Sequence, residues 1–198
     1  MAKARRQGQK PKPVSPVKKR HGIGFFSIPV QELIGCYCQG NGIDVGCGWR
    51  KMGGPVLGID VVPWAEMTNA DRNDPHLSQA DWCLDSRELP IKDNSMDFVF
   101  GHHVLEHIGK TDKTDADTLK ALAEWVRILK PGGYLVLVTP DINHCISPVA
   151  RRKGLIIPHG LQPEEVRKLL DKLPVEVVRF NQFKEKETFE LVVCKCQR

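Results

Sequence analysis

Residues 43–60 read IDVGCGWRKMGGPVLGID, and this stretch decides the fold. Ile43-Asp44-Val45 is a short apolar run that leads straight into the glycine turn Gly46-Cys47-Gly48. Val56 to Asp60 is a second run of the same kind. Short apolar runs without alternation are the mark of parallel strands covered on both faces. Only residues 49–55 separate the two, fewer than the dozen or so of a helical crossover. Seven extended residues reach about 23 Å, against about 17 Å for a five-residue strand. A parallel return is therefore expected as a taut, helix-free loop through Trp49 to Pro55. That shortness argues against a dinucleotide enzyme. A G-x-G-x-x-G fingerprint begun at Gly46 needs its last glycine where Lys51 stands, and a helix amino terminus for the pyrophosphate.

Outward from this stretch the pattern repeats. Ile28 to Tyr37 is expected as a short helix, Asp81 to Leu84 as a third strand, Met96 to Phe100 as a fourth and Tyr134 to Val138 as a fifth. Leu119, Leu122, Ala123, Val126 and Leu129 recur at helical spacing, and Lys130-Pro131-Gly132-Gly133 should stop that helix. A last helix over about 163–173 opens on Glu164 and Glu165, acids that suit a helix amino terminus. Terminal strands follow near 175–179 and 188–194. The fold class is α/β: an open, doubly wound, mostly parallel Rossmann-like sheet with an antiparallel terminal strand.

In such sheets ligands bind beyond the carboxyl ends of the strands. Gly46 and Gly48 let a ligand approach the backbone closely. Asp60, ending the second strand, can accept hydrogen bonds from both ribose hydroxyls of an adenosine-containing ligand. Asp85 follows the third strand. Either acid alone serves equally well as a turn former; together, in order, they point to a nucleoside ligand.

Asp44 to Gly48, Gly58-Ile59-Asp60, Asp85 with Leu89-Pro90, Asn94 to Val99, His103 to Ile108 (HVLEHI) and Arg127 to Gly133 (RILKPGG) stand in a familiar order. Over roughly residues 40–195 the run resembles the class I S-adenosylmethionine-dependent methyltransferases, in the type 11-like branch with an "LP…D.SFD.V…HVLEH…R.LKPGG" signature. The resemblance implies a methyltransferase sheet that binds S-adenosylmethionine and releases S-adenosylhomocysteine. It places Asp44, Gly46 and Gly48 at the methionine end, Asp60 at the ribose, and Asp85 with the backbone of Ser86 at the adenine edge, with Cys47 and Val61 as further cofactor contacts. Gly101 and His102 fall beside the donor methyl. The chain departs from the family between the first two strands, where a helix is usual and where Arg50 takes the position of a further glycine.

If the acceptor must lose a proton, His102 and His103 are the local candidates for a general base. Successive side chains at a strand end point in two directions, so only one is expected to face the pocket. Glu106 and His107 read as structural. His144, Cys145 and His159 are weaker candidates for substrate contact. No cluster has convincing metal spacing, so no metal is expected. Seven cysteines show no disulfide or zinc framework and read as reduced thiols.

The net charge of +5 is concentrated. Residues 1–20 hold eight Lys or Arg and no acid, which leaves 21 basic against 24 acidic residues in the rest. Residues 1–22 are expected as a basic disordered tail, and 23–198 as a single domain. No stretch approaches the roughly 20 apolar residues of a membrane span. The expected setting is cytoplasmic, as a monomer or weak dimer. Only residues 139–162 lie between the fifth strand and the last helix, which favours a small-molecule acceptor. Alternatives are a nucleic-acid or protein methyltransferase docking through residues 1–20, and a non-catalytic S-adenosylmethionine-binding module.

Overall fold

The computed structural model describes residues 26–48, 50–61, 80–108, 116–141, 161–183 and 188–197. The basic tail, Trp49, His144, Cys145 and His159 lie outside them. Seven strands form one sheet in the order β3-β2-β1-β4-β5-β7-β6. They are β1 (Gly42–Val45), β2 (Leu57–Asp60), β3 (Trp82–Cys83), β4 (Met96–His102), β5 (Leu129–Pro140), β6 (Val175–Phe183) and β7 (Thr188–Lys195). The first five pair in parallel. β7 lies antiparallel between β5 and β6. The outermost parallel strand, β3, is shorter than expected and exposed.

Both faces of the centre are covered, as its apolar strands require. Val99, Leu135 and Leu137 share one core with Leu122, Trp125 and Val126 of α2 (Ala116–Ile128) and with Val166, Leu169 and Leu170 of α3 (Pro163–Leu170). Phe98, Phe100, Val136 and Val138 point the other way, following the period of two along a strand. They pack with Val30, Leu33 and Ile34 of α1 (Ile28–Tyr37). Met52 and Val56 of the β1–β2 loop join that second core, where a crossover helix would otherwise contribute apolar surface.

The Lys130-to-Gly133 segment differs from expectation. Helix α2 ends at Ile128, and Leu129 already pairs with Met96, so the glycines lie within the opening of β5. A register shift between Met96 and Phe98 takes up the extra residues, with Gly132 at φ +82°. The shift lets the helix pass directly into the strand with only a bulge.

The polar residues of the sequence motifs fasten this junction. Arg127 bonds the carboxylate of Glu124, pairs with Asp93 and donates to the carbonyls of Leu89 and Ile91. Trp125 Nε1 donates to Ser86 O at 2.9 Å. Lys130 Nζ meets Asp97 Oδ1 at 2.7 Å, while Asp97 Oδ2 accepts from Asn41 N at 2.9 Å. From β7, Lys195 Nζ donates to the carbonyls of Arg127 and Leu129 at 3.1 and 2.8 Å, the last carbonyls of α2 and its exit. A cation there satisfies acceptors the helix leaves open. Lys195→Met should lower the unfolding free energy by about 2 kcal/mol, the worth of charged hydrogen bonds, in urea denaturation followed by circular dichroism.

Candidate active site

The β1–β2 loop has no helix among its described residues, and carboxylates at the strand ends hold it. Met52 N donates to Asp44 Oδ2 at 2.8 Å, and Gly48 N to Asp60 Oδ2 at 2.9 Å. Cys47 N reaches Ile59 O at 3.1 Å. Lys51, 8% exposed, lies across Gly58 and pairs with Asp81, whose carboxylate also accepts from Gly58 N. Asp44 and Asp60 thus satisfy backbone amides of the loop, whose buried N–H groups need partners.

The two glycines of the turn differ in purpose. Gly46 adopts φ +62°, and a Cβ there would stand 2.2 Å from Val104 Cγ2. Gly48 adopts φ +48° with nothing within 4 Å of where a Cβ would be. Gly46 is therefore required by packing, while Gly48 leaves open space above the backbone.

That space belongs to a cavity of about 290 Å³ lined by Phe26, Asp44, Gly46, Cys47, Gly48, Arg50, His102 and His103. Contrary to the alternation expected at a strand end, both histidines face it. His103 leaves the strand at φ +57°, a left-handed conformation that turns its ring back beside that of His102. The rings stack with centroids 4.4 Å apart, and Phe26 meets His102 edge-on at 5.2 Å. Phe26 lies in no motif, and sequence reading did not find it. Arg50 stood out in sequence only as a departure from the glycine pattern.

Burial sets the charge of this site. It lowers His102 to about 3, assisted by His103 and Arg50. It lowers His103 to about 4, assisted by Arg50 and His107, although that side chain keeps 44% of its surface exposed. Both rings are neutral at pH 7. Burial raises the Asp44 carboxyl to about 7 against the opposing bond from Met52 N. It also pushes the Cys47 thiol well above its usual range, so that sulfur stays protonated.

Behind His103, the 3₁₀ turn Leu105–His107 buries Glu106 to 2% exposure. Glu106 Oε1 lies 3.8 Å from both His103 Nδ1 and His107 Nε2, beyond hydrogen-bond reach, and among the described residues Oε2 has no hydrogen-bond partner. Burial raises this carboxyl to about 7.

The remaining sequence candidates lie outside the cavity's lining. Asp60 stands beside it through Gly48. Val61 is 59% exposed at the end of β2. Asp85 accepts the Arg87 guanidinium on both oxygens, which holds it below the usual carboxylate range. Ser86 is buried, with its carbonyl on Trp125. Gly101 is packed, a Cβ there meeting Val104 at 3.0 Å and Leu137 at 3.1 Å. Trp125 belongs to the core and Trp82 is exposed on β3.

A family model described as a methyltransferase domain matches residues 39–137. The chain belongs to that methyltransferase family. An uncharacterized methyltransferase of Schizosaccharomyces pombe is 28% identical over 64% of this chain and 52% of its own length. The malonyl-[acyl-carrier protein] O-methyltransferase of Buchnera aphidicola is 31% identical over 49% of this chain and 38% of its own. The chain thus spans about half, or less, of these curated relatives. The solved structure of a SAM-dependent methyltransferase from Methanosarcina mazei shares the fold, with TM-score 0.58, 20% identity, and 84% and 98% of the two chains covered. Membership implies S-adenosylmethionine as cofactor. Among the described residues no helix of the chain is long and apolar enough to cross a membrane.

Two outcomes test the electrostatics. The His102 imidazole signal should not titrate between pH 8 and about 5 in an NMR titration, where an ordinary histidine turns over near 6.5. For Glu106, folding raises the pKa, so its contribution is fully present below the unfolded value of 4.5 and is lost as pH rises through about 7. Glu106→Gln, which mimics the protonated form, should gain stability relative to the parent between pH 5 and 8. Urea unfolding at both values should show the gain, each pKa unit being worth about 1.4 kcal/mol.

Proposed function

We propose that the methyltransferase transfers a methyl group from S-adenosylmethionine to a small-molecule acceptor, with the cofactor's methionine end in the cavity over Gly46 and Gly48. One observation carries this reading: the open, left-handed Gly48 at the carboxyl end of β1, between the carboxylates of Asp44 and Asp60. The residues present fit the group. The backbone at Gly48 gives room for close approach, and the neutral rings of His102 and His103 add no further cation to that of Arg50 in the lining. Asp60 is assigned to the ribose hydroxyls. The adenine edge is assigned to Asp85 and Ser86, with Asp85 positioned by Arg87, and Val61 is kept as a cofactor contact beside Asp60.

When bound, the sulfonium supplies an already activated methyl carbon for in-line displacement. What remains for the protein is alignment and exclusion of water. A histidine held near 3 is a weak base, so His102 is assigned to shaping the site. His103 is assigned the same part. The acceptor then arrives with its lone pair already available.

Isothermal titration with S-adenosylmethionine and S-adenosylhomocysteine, with NAD as control, tests the reading. Both sulfur nucleosides should bind and NAD should not. Gly48→Leu, which fills the space above the turn, and Asp60→Ala should each weaken binding at least tenfold. If neither nucleoside binds the parent protein, the assignment fails. Binding without turnover on any acceptor would leave a binding module.

A further inference from the structure

Arg50, His102 and His103 line a second cavity as well as the first. It holds about 180 Å³ between the start of α1 and the antiparallel end of the sheet, where β5, β6 and β7 supply its walls. The two chambers meet at the three shared residues, which is where a donor and an acceptor must be brought together. We propose that the second cavity is the acceptor site, and that it takes a small, neutral heteroaromatic compound methylated on a ring nitrogen. The proposal rests on the cofactor assignment for the first cavity.

Charge on the cavity walls argues for a neutral ligand. Arg50 and Glu190 are the charged residues of the described lining, and they sum to zero. Neither is free: Glu190, 2% exposed, meets Arg179 at 3.4 Å, and Arg50 is engaged within the protein as well. Both histidines are neutral at pH 7 and add nothing. A charged ligand would give up its hydration for walls without net charge, a cost that a neutral molecule escapes. Chemistry narrows the class. The histidines of the shared wall are too weakly basic to take a proton at pH 7, and Glu190 is held by Arg179. The nucleophile must therefore carry a lone pair that is already free. Aliphatic amines are protonated at that pH, and hydroxyls must lose a proton to attack. A pyridine-type nitrogen meets the condition. Its lone pair forms the bond to the methyl carbon while the carbon–sulfur bond breaks onto sulfur, so the positive charge passes to nitrogen and no proton is released. Size agrees, because about 180 Å³ lies below the roughly 300 Å³ at which drug-sized sites begin, and suits a single substituted ring. Pro29, Val30, Val138 and Phe183 supply apolar surface for that ring, and Ser27 and Thr188 bring hydroxyls for a polar substituent.

Isonicotinamide, isonicotinate and the corresponding aminomethylpyridine share a ring nitrogen and a similar shape and differ in charge. Benzamide matches the first of them without the nitrogen. The three pyridines are titrated calorimetrically into protein saturated with S-adenosylhomocysteine, whose own affinity is measured first. Isonicotinamide should bind saturably and at least tenfold more tightly than either charged probe. Given S-adenosylmethionine, the protein should convert isonicotinamide to its ring N-methyl product, read by mass spectrometry, and leave benzamide unmodified. Thr188→Trp, which fills the second cavity from a residue absent from the first, should abolish isonicotinamide binding while the S-adenosylhomocysteine affinity stays within about threefold. Retained S-adenosylhomocysteine affinity also shows that the variant is folded. No saturable isonicotinamide binding, a charged probe that binds as tightly, no ring methylation, or undiminished binding in Thr188→Trp would each overturn the proposal. Failure of S-adenosylhomocysteine to bind the parent protein would instead strike the reading beneath it.

Discussion

The structure depends on how a chain without a crossover helix gets from β1 to β2. The loop has too few residues to satisfy its own amides, and it must still cover the sheet on that side. Carboxylates solve the first problem, with Asp44 bonding Met52 N and Asp60 bonding Gly48 N, while Asp81 bonds Gly58 N at the start of β2. Met52 and Val56 solve the second by entering the core beside Phe98 and Phe100. Two of these acids also border the candidate cofactor cavity, Asp44 in its lining and Asp60 beside it through Gly48. Scaffold and site therefore share their polar atoms, and burial of Asp44 is a consequence of that sharing.

The motifs divide in two by physical role. Asp97, Arg127 and Lys130 hold the turn into β5 together with Lys195, far along the chain, and they contribute nothing to the cavity lining. The glycine turn and the two histidines form the cavity. A signature that reads as one run in sequence is thus partly a set of fasteners and partly a binding surface.

The apolar runs made the parallel strands legible, and the seven residues between Gly48 and Val56 announced the helix-free loop. Leu129 was misplaced in a helix because its burial fits either period, and only pairing with Met96 puts it in a strand. The opposed histidines were misjudged because alternation holds only while φ stays extended; the left-handed turn at His103 has no mark in residue type. Phe26 escaped for another reason. It precedes α1, and tertiary packing alone brings it against His102.

The contact between Gly46 and Val104 has a consequence for descent as well as for packing. A Cβ at position 46 and the Val104 methyl would claim the same volume, and Val104 also bounds Gly101. Three positions on two strand ends therefore cannot drift one at a time. A larger side chain at 104 would displace both glycine segments, and a side chain at 46 or 101 would require a smaller one at 104. Lineages carrying this cavity should change these positions as a set, so the floor of the site is inherited as a block while its rim is free to diversify.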